Sequence, residues 1–381
     1  MAEDLDALDD ERFRQTVRAW IEATYPEHIR HPRHRLHWPE AKEWWSLLYE
    51  KGWIAPNWPK DRGGMGLSAA KQIIYIEEME RWGAARMPDH GLTMVGPTIM
   101  RHGSEEQKDH FLPSTLSGAF IWAQGYSEPN AGSDLASLQC AAVRDGDDYV
   151  VTGAKTWTTL AMDATWIYML VRTSKEGKKQ EGISFLLADL STPGITIRPI
   201  RNLAGHDEFA EVFFDGVRVP VANRVGPENQ GWTIAKAQLG FERIFIGSPK
   251  LPTYLLGRLK TLARSLGQLD EPVFRERYTR LALDVADLTA LYEGFVDLVR
   301  QGRDLGPEVS MLKVLATETG QRVTELMLET AAEHGIVWEP QSFEGELIDP
   351  ATLFLNARPT TIYGGSNEIQ RGILAKRVLG L

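Results

Sequence analysis

One stretch of this chain combines small, hydroxylated and aromatic residues in a way that suits a flat heteroaromatic ligand with polar edges, and further stretches carry other residue types capable of chemistry. In Trp122-Ala123-Gln124-Gly125-Tyr126-Ser127-Glu128-Pro129-Asn130-Ala131-Gly132-Ser133-Asp134, an apolar entry (Phe120, Ile121, Trp122) runs out into a loop that Pro129 and Gly132 keep irregular. Such a loop presents Ser127, Ser133 and free backbone N–H groups beside aromatic rings. Gly153-Ala154-Lys155-Thr156-Trp157-Thr158-Thr159 sets an indole among hydroxyls. Tyr363-Gly364-Gly365-Ser366-Asn367-Glu368-Ile369-Gln370-Arg371 joins two glycines to a hydroxyl, an amide and a carboxylate. A fourth stretch, Gly240-Phe241-Glu242-Arg243, carries a lone Glu-Arg pair on a helix, which by itself is ordinarily solvated surface. Taken singly, each is equally a satisfied loop hydroxyl or a packed ring.

The elements that must carry these stretches fall into three blocks. Up to about residue 120 the apolar spacing is helical: Phe13, Val17, Trp20 and Ile21, then Trp44, Leu47 and Leu48, then a helix over Ala69 to Trp82 and another around Leu92 to His102. Ser104 and Gln107 read as a capping box for the next helix. Gly63-Gly64-Met65-Gly66 is a loop; it lacks the G-x-x-x-x-G-K-[ST] arrangement of a phosphate loop. From 121 to 231 short strands are expected at Ala141 to Val151 (with an Asp145-Gly146 turn), Trp166 to Val171, Ile183 to Leu187, Ile195 to Ile200 and Glu211 to Phe214. Helical spacing returns over Arg258 to Leu266, Val273 to Val299 and Ser310 to Thr330. The expectation is an α+β chain: an N-terminal helical domain (1–120), a middle antiparallel β domain (121–231) and a C-terminal helical bundle (232–381).

Composition narrows the function classes. The 381 residues are 43% hydrophobic and 25% charged, as in ordinary globular proteins, and leave room for two or three domains. A net charge of -10 argues against nucleic acid or an anionic membrane surface as main partner. The single cysteine, Cys140, excludes an intramolecular disulfide and a multi-cysteine metal site. The acidic N-terminus does not resemble a secretory signal, and no run of about eighteen apolar residues occurs, so a cytoplasmic protein without a membrane span is expected.

Together, Y-S-E-P-N-A-G-S-D and G-A-K-T-W-T-T resemble the paired flavin motifs of the acyl-CoA dehydrogenase family, and the Tyr363–Arg371 stretch resembles its C-terminal signature. Trp58 to Gly66 resembles the family's W-P-x-x-x-G-G-x-G connection. The resemblance implies FAD as cofactor, no metal, and removal of a proton and a hydride from the α- and β-carbons of an acyl-CoA thioester. Electrons would then pass to an electron-transferring flavoprotein. It implies that Gln124, Tyr126, Ser127, Trp157 and Thr159 contact the isoalloxazine, that Ser133 lies on the acyl-CoA side, and that Ser366 and Glu368 reach FAD. Most members carry the base directly after the tyrosine of the C-terminal motif, where this chain has Gly364. A smaller branch, like isovaleryl- and long-chain acyl-CoA dehydrogenases, carries it on a helix before an arginine. This makes Glu242 the expected base and puts Arg243 near CoA. Moving the carboxylate, by Glu242→Gly with Gly364→Glu, is expected to restore part of the lost rate.

Two segments depart from the family pattern. R-x-x-F-G, which reaches a neighbouring subunit's FAD, has no counterpart around Arg275 to Asp284, and Q-x-x-G-G-x-G is reduced to Glu329-Thr330-Ala331-Ala332-Glu333-His334-Gly335. With Gly306-Pro307-Glu308 leading to Ser310 and Lys313, this region resembles the branch of two-subunit enzymes for steroid side-chain or dicarboxylic CoA thioesters. A homo- or hetero-oligomer is expected. Two other readings stand beside it: a flavin oxidase or monooxygenase on the same fold, and a non-catalytic subunit supporting a catalytic partner.

Overall fold

The computed structural model describes residues 4–303 and 305–381, with side chains throughout except at 239–245. The chain forms two compact units, Met1–Gln238 and Leu239–Leu381.

The first unit opens with five helices: α1 (Asp10–Thr24), α2 (Trp38–Lys51), α3 (Ala69–Trp82), α4 (Gly96–His102) and α5 (Glu105–Leu116). Helix α1 buries Phe13, Val17 and Ile21, spaced four apart, and Asp9 caps it by accepting from the Arg12 N–H. It is tied to α3 through the buried carboxylate of Glu78, which accepts from Arg14 (2.9 Å), Arg18 (2.8 Å) and Arg81 (2.8 Å). A π-helical turn, Gly91–Val95, leads into α4. The capping box that opens α5 is present, with Ser104 accepting from the Gln107 N–H at 3.2 Å and Gln107 accepting from the Ser104 N–H at 3.1 Å. The Gln107 amide also donates to the carbonyls of Ala222 and Arg224, which fixes α5 to the sheet.

The sheet comprises β1 (Trp122–Gly125), β2 (Ala141–Asp145), β3 (Asp148–Thr159), β4 (Trp166–Arg172), β5 (Ile183–Asp189), β6 (Ile195–Arg201), β7 (Asp207–Pro220) and β8 (Arg224–Val225). The order is β6-β7-β3-β2-β4-β5-β8, with β1 paired to β4. Neighbours run antiparallel except β1 beside β4 and the single pairing of β2 with β4. The Asp145-Gly146 turn makes the β2–β3 hairpin, with Asp145 opposite Asp148. β4 is buried at every residue, and its Ile167, Met169 and Val171 pack with Val151, Val212 and Leu186 in the core. The Trp122 indole donates to Thr115 on α5 at 2.8 Å, so β1 enters the sheet already anchored to the helical layer.

Helix α6 (Gly231–Ile246) contains the boundary between the units. The second unit continues with α7 (Lys250–Ser265), α8 (Pro272–Arg300), α9 (Ser310–Ala331), α10 (Pro350–Ala357) and α11 (Asn367–Arg377). Leu255, Leu259 and Leu262 of α7 pack on Val323, Leu326 and Met327 of α9. Between α9 and α10 lies a hairpin that apolar spacing does not anticipate, β9 (Gln341–Phe343) with β10 (Glu346–Ile348). Ion pairs from Arg258 to Glu346 (2.6 Å) and Arg264 to Glu344 (2.9 Å) tie it to α7. Among the described residues, no helix is long and apolar enough to cross a membrane.

Candidate functional site

The second motif lies inside β3, where the pairing with β7 breaks twice, between Val151 and Gly153 and between Lys155 and Thr158. A bulge releases a residue from the ladder and re-aims its side chain. The second break frees Thr156 and Trp157, and Trp157 takes a left-handed φ of +56° that a bulky residue adopts only when its surroundings force it. Its indole is 60% exposed and is braced by the edge of Phe209, with centroids 6.1 Å apart and planes at 82°. Thr159 pairs with Phe209 at the end of the same ladder.

The first motif is bound directly to this bulge. The Thr156 N–H donates to the Ser127 carbonyl at 2.9 Å. On one side of that bond the Lys155 ammonium, fully buried, donates to the Tyr126 carbonyl (3.3 Å) and to Glu128 (2.7 Å). Glu128 also accepts from the backbone N–H groups of Gln139 (2.6 Å) and Cys140 (2.9 Å). The end of the loop is gripped by Arg172, whose guanidinium donates to the carbonyls of Ala136 (2.7 Å), Leu138 (3.4 Å) and Glu181 (2.7 Å). Burial pulls the Arg172 pKa below its ordinary value and pushes the Cys140 thiol up to about 11, which disfavours its thiolate form.

Tyr126 is buried and its hydroxyl donates to the side-chain carbonyl of Gln238. Gln124 is half-buried, and its amide nitrogen has no partner among the described residues; the same is true of the Gln238 amide nitrogen. Ser133 is exposed, next to Asp134, which pairs with Lys179 at 2.7 Å. An exposed indole, a half-buried Ser127 and a buried donor without a partner fit a planar heteroaromatic ring with polar edges, such as an isoalloxazine. Glu128, Lys155, Arg172 and Gln238 hold these stretches through contacts that motif reading passes over. A lysine in a strand beside a glutamate in the companion motif was the available signal for two of them.

In the second unit, Gly364 and Gly365 both turn left-handed (φ +64° and +76°). Gln370 donates to their carbonyls at 3.1 and 3.4 Å. The Ser366 hydroxyl caps α11 by accepting from the Ile369 N–H. Asn367 is buried and accepts from Lys313 (2.7 Å) while donating to Glu318 (3.0 Å). Burial pushes the Lys313 ammonium down to about 8. Glu368 is exposed, and its own N–H and the Ser366 hydroxyl hold its carboxyl below the usual range. Ser366 is therefore already engaged as a helix cap, whereas Glu368 faces outward. Position 242 lies in α6 one turn before Ile246, but the side chains of Glu242 and Arg243 lie outside the described residues.

The two segments that depart from the family pattern are joined to each other. Arg277 donates to both carboxylate oxygens of Glu329, at 2.5 and 3.1 Å. Ala332, standing where the pattern has a glycine, ends α9 at φ +46° and ψ -122°, a conformation suited to glycine.

Family models match nearly the whole chain: the acyl-CoA dehydrogenase N-terminal domain at residues 8–119, the middle domain at 123–217 and the C-terminal domain at 229–379. The acyl-CoA dehydrogenase IpdE1 of Mycobacterium tuberculosis is 37% identical over 98% of this chain and 98% of its own length. Among solved structures, the Tcur3481-Tcur3483 steroid ACAD superposes with a TM-score of 0.88 at 31% identity, covering 100% of this chain and 99% of that one. The ChsE4-ChsE5 complex from Mycobacterium tuberculosis superposes with a TM-score of 0.84 at 33% identity, covering 98% and 97%.

Proposed function

Because the chain belongs to the acyl-CoA dehydrogenase family, we propose that it binds FAD and introduces a double bond between the α- and β-carbons of an acyl-CoA thioester, with an electron-transferring flavoprotein as electron acceptor. The observation that carries this reading is Trp157: an exposed indole, held left-handed on a bulge and hydrogen-bonded through its neighbour to the Ser127 carbonyl. Bound FAD would accept the hydride from the β-carbon. The chain supplies the rest. Trp157 and the Tyr126–Ser127 loop would hold the ring, and the Gln124 amide nitrogen, which has no partner among the described residues, would donate to its polar edge. Glu242 would take the α-proton, since Gly364 offers no acceptor in its side chain. Ser133 and Arg243 would serve the acyl-CoA side, and Glu368 would reach FAD from α11. The solved relatives named as steroid enzymes make a bulky steroid-derived CoA thioester the first substrate class to test.

Anaerobic mixing of the purified protein with a panel of acyl-CoAs, following flavin bleaching, tests the reading. Bleaching by one thioester class supports it. A protein that takes up FAD and is bleached by none counts against it, and rapid reoxidation in air would favour an oxidase.

A two-subunit assembly is the second reading. Arg277 is bound to Glu329 within the chain, and Ala332 and Glu333 replace two glycines of the family pattern, so this face is altered where members meet a neighbour's FAD. A different partner subunit would complete the assembly, as the paired names of the solved relatives suggest.

A further inference from the structure

We propose that the buried Lys155–Glu128 ion pair is a positioning element for the flavin: it touches no ligand itself, but fixes Ser127 against Trp157 and so sets how tightly the chain holds FAD. The inference rests on the functional reading above. Where β3 breaks its pairing with β7, between Lys155 and Thr158, sheet register no longer determines where Trp157 points. A loop on the far side supplies the missing constraint. Lys155, the last paired residue before the break, and Thr156, the first unpaired one, engage three consecutive residues of the loop: the Tyr126 carbonyl, the Ser127 carbonyl and the Glu128 carboxylate. Of the candidate ring-contacting residues, Tyr126 and Ser127 thus belong to this cross-link and Trp157 directly follows Thr156.

The loop would be a weak brace if it were free to drift. It is not, because the same Glu128 carboxylate accepts from the N–H groups of Gln139 and Cys140, and Cys140 directly precedes β2. The tie therefore runs from bulge to loop and back to the sheet. Burying two charges adds little net stability and is often matched by apolar side chains. A directional, hydrogen-bonded pair in that place serves geometry better than it serves stability.

The test uses full-length apoprotein titrated with FAD, reading flavin fluorescence, the shape of the bound visible band and thermal unfolding. Lys155→Met and Glu128→Gln each leave one group mismatched, and both are expected to lose stability and affinity. Lys155→Met with Glu128→Gln removes both charges; because the Gln139 and Cys140 N–H groups donate to different carboxylate oxygens, the single amide oxygen keeps one of those two bonds. The double variant is expected to regain stability over Glu128→Gln, which leaves a buried ammonium without its counter-charge, yet bind FAD about 10–100-fold more weakly than wild type, the range seen when outer-shell partners of metal ligands are removed. A double variant with wild-type affinity and spectrum overturns the proposal. A second measurement needs no variant. In wild-type apoprotein the Thr156 amide is expected to exchange slowly with solvent, because the cross-link exists before the ligand arrives, and rapid exchange there overturns it too. A wild-type protein that takes up no FAD instead removes the functional reading itself.

Discussion

The side chain of Ile246 occupies the space into which a side chain at Gly364 would project, with its Cδ1 2.5 Å from where the Cβ would stand. Gly364 is also left-handed at φ +64°. A carboxylate at 364 therefore meets two obstacles: backbone strain on the order of 1–2 kcal/mol and a methyl group that must move aside. Both obstacles weigh against the expectation that Glu242→Gly with Gly364→Glu restores part of the rate. That double variant is expected to stay as slow as Glu242→Gly in anaerobic flavin reduction, and adding Ile246→Ala is expected to bring recovery. Recovery without the third change would show that the turn adapts.

Glu242→Gln is expected to leave FAD bound and to slow flavin reduction by acyl-CoA roughly 100- to 10,000-fold, the usual loss on removing a positioned base. Stopped-flow reduction at saturating thioester measures it. A wild-type rate would move the base elsewhere.

Trp157→Gly is expected to separate stability from binding. Removing a mostly exposed indole exposes little core, and glycine accepts the left-handed backbone, so the apoprotein should be as stable as wild type or more stable by about 1 kcal/mol. FAD retention on a desalting column should fall.

Ala332→Gly is expected to stabilise the second unit by about 0.5–1 kcal/mol, because φ +46° with ψ -122° penalises a Cβ. Thermal unfolding reads this directly, and a destabilised variant would mean that the alanine methyl packs more favourably than its backbone costs.

Acid should strike the first unit through Glu78. Burial alone would raise its pKa, but the guanidinium groups of Arg18, Arg81 and Arg14 hold its carboxyl down to about 2. A depressed folded-state pKa contributes stability that is complete above the unfolded value and is lost as pH falls toward about 2. The contribution is at most about 3 kcal/mol. Glu78→Gln should therefore destabilise at pH 7 and flatten the loss between pH 4.5 and 2. Unfolding midpoints across that range decide it.

The order of helices, strands and helices was legible because Phe13, Val17 and Ile21, or the apolar run of β4, repeat at periods that only one kind of element satisfies. The Ser104–Gln107 box and the Asp145-Gly146 turn were legible because their chemistry is local. The β9–β10 hairpin was not, since three-residue strands are too short to show a period. Of the candidate site, the sequence showed an indole and hydroxyls but not the bulge that turns Trp157 outward. It also hid the tie between Lys155 and Glu128, 27 residues apart, because that contact exists only once loop and sheet meet.

With Trp44, Trp45 and Trp58 sealed from water, Trp157 and Trp338 stand out as largely exposed indoles. Exposed indoles emit to the red of sealed ones. A coloured ring laid on Trp157 would remove part of that red emission, and Trp157→Phe identifies the part that belongs to this indole. The bulge thus equips the protein with its own optical reporter: the apoprotein's emission spectrum, recorded as ligand is added, shows whether the candidate surface is covered, without label or turnover.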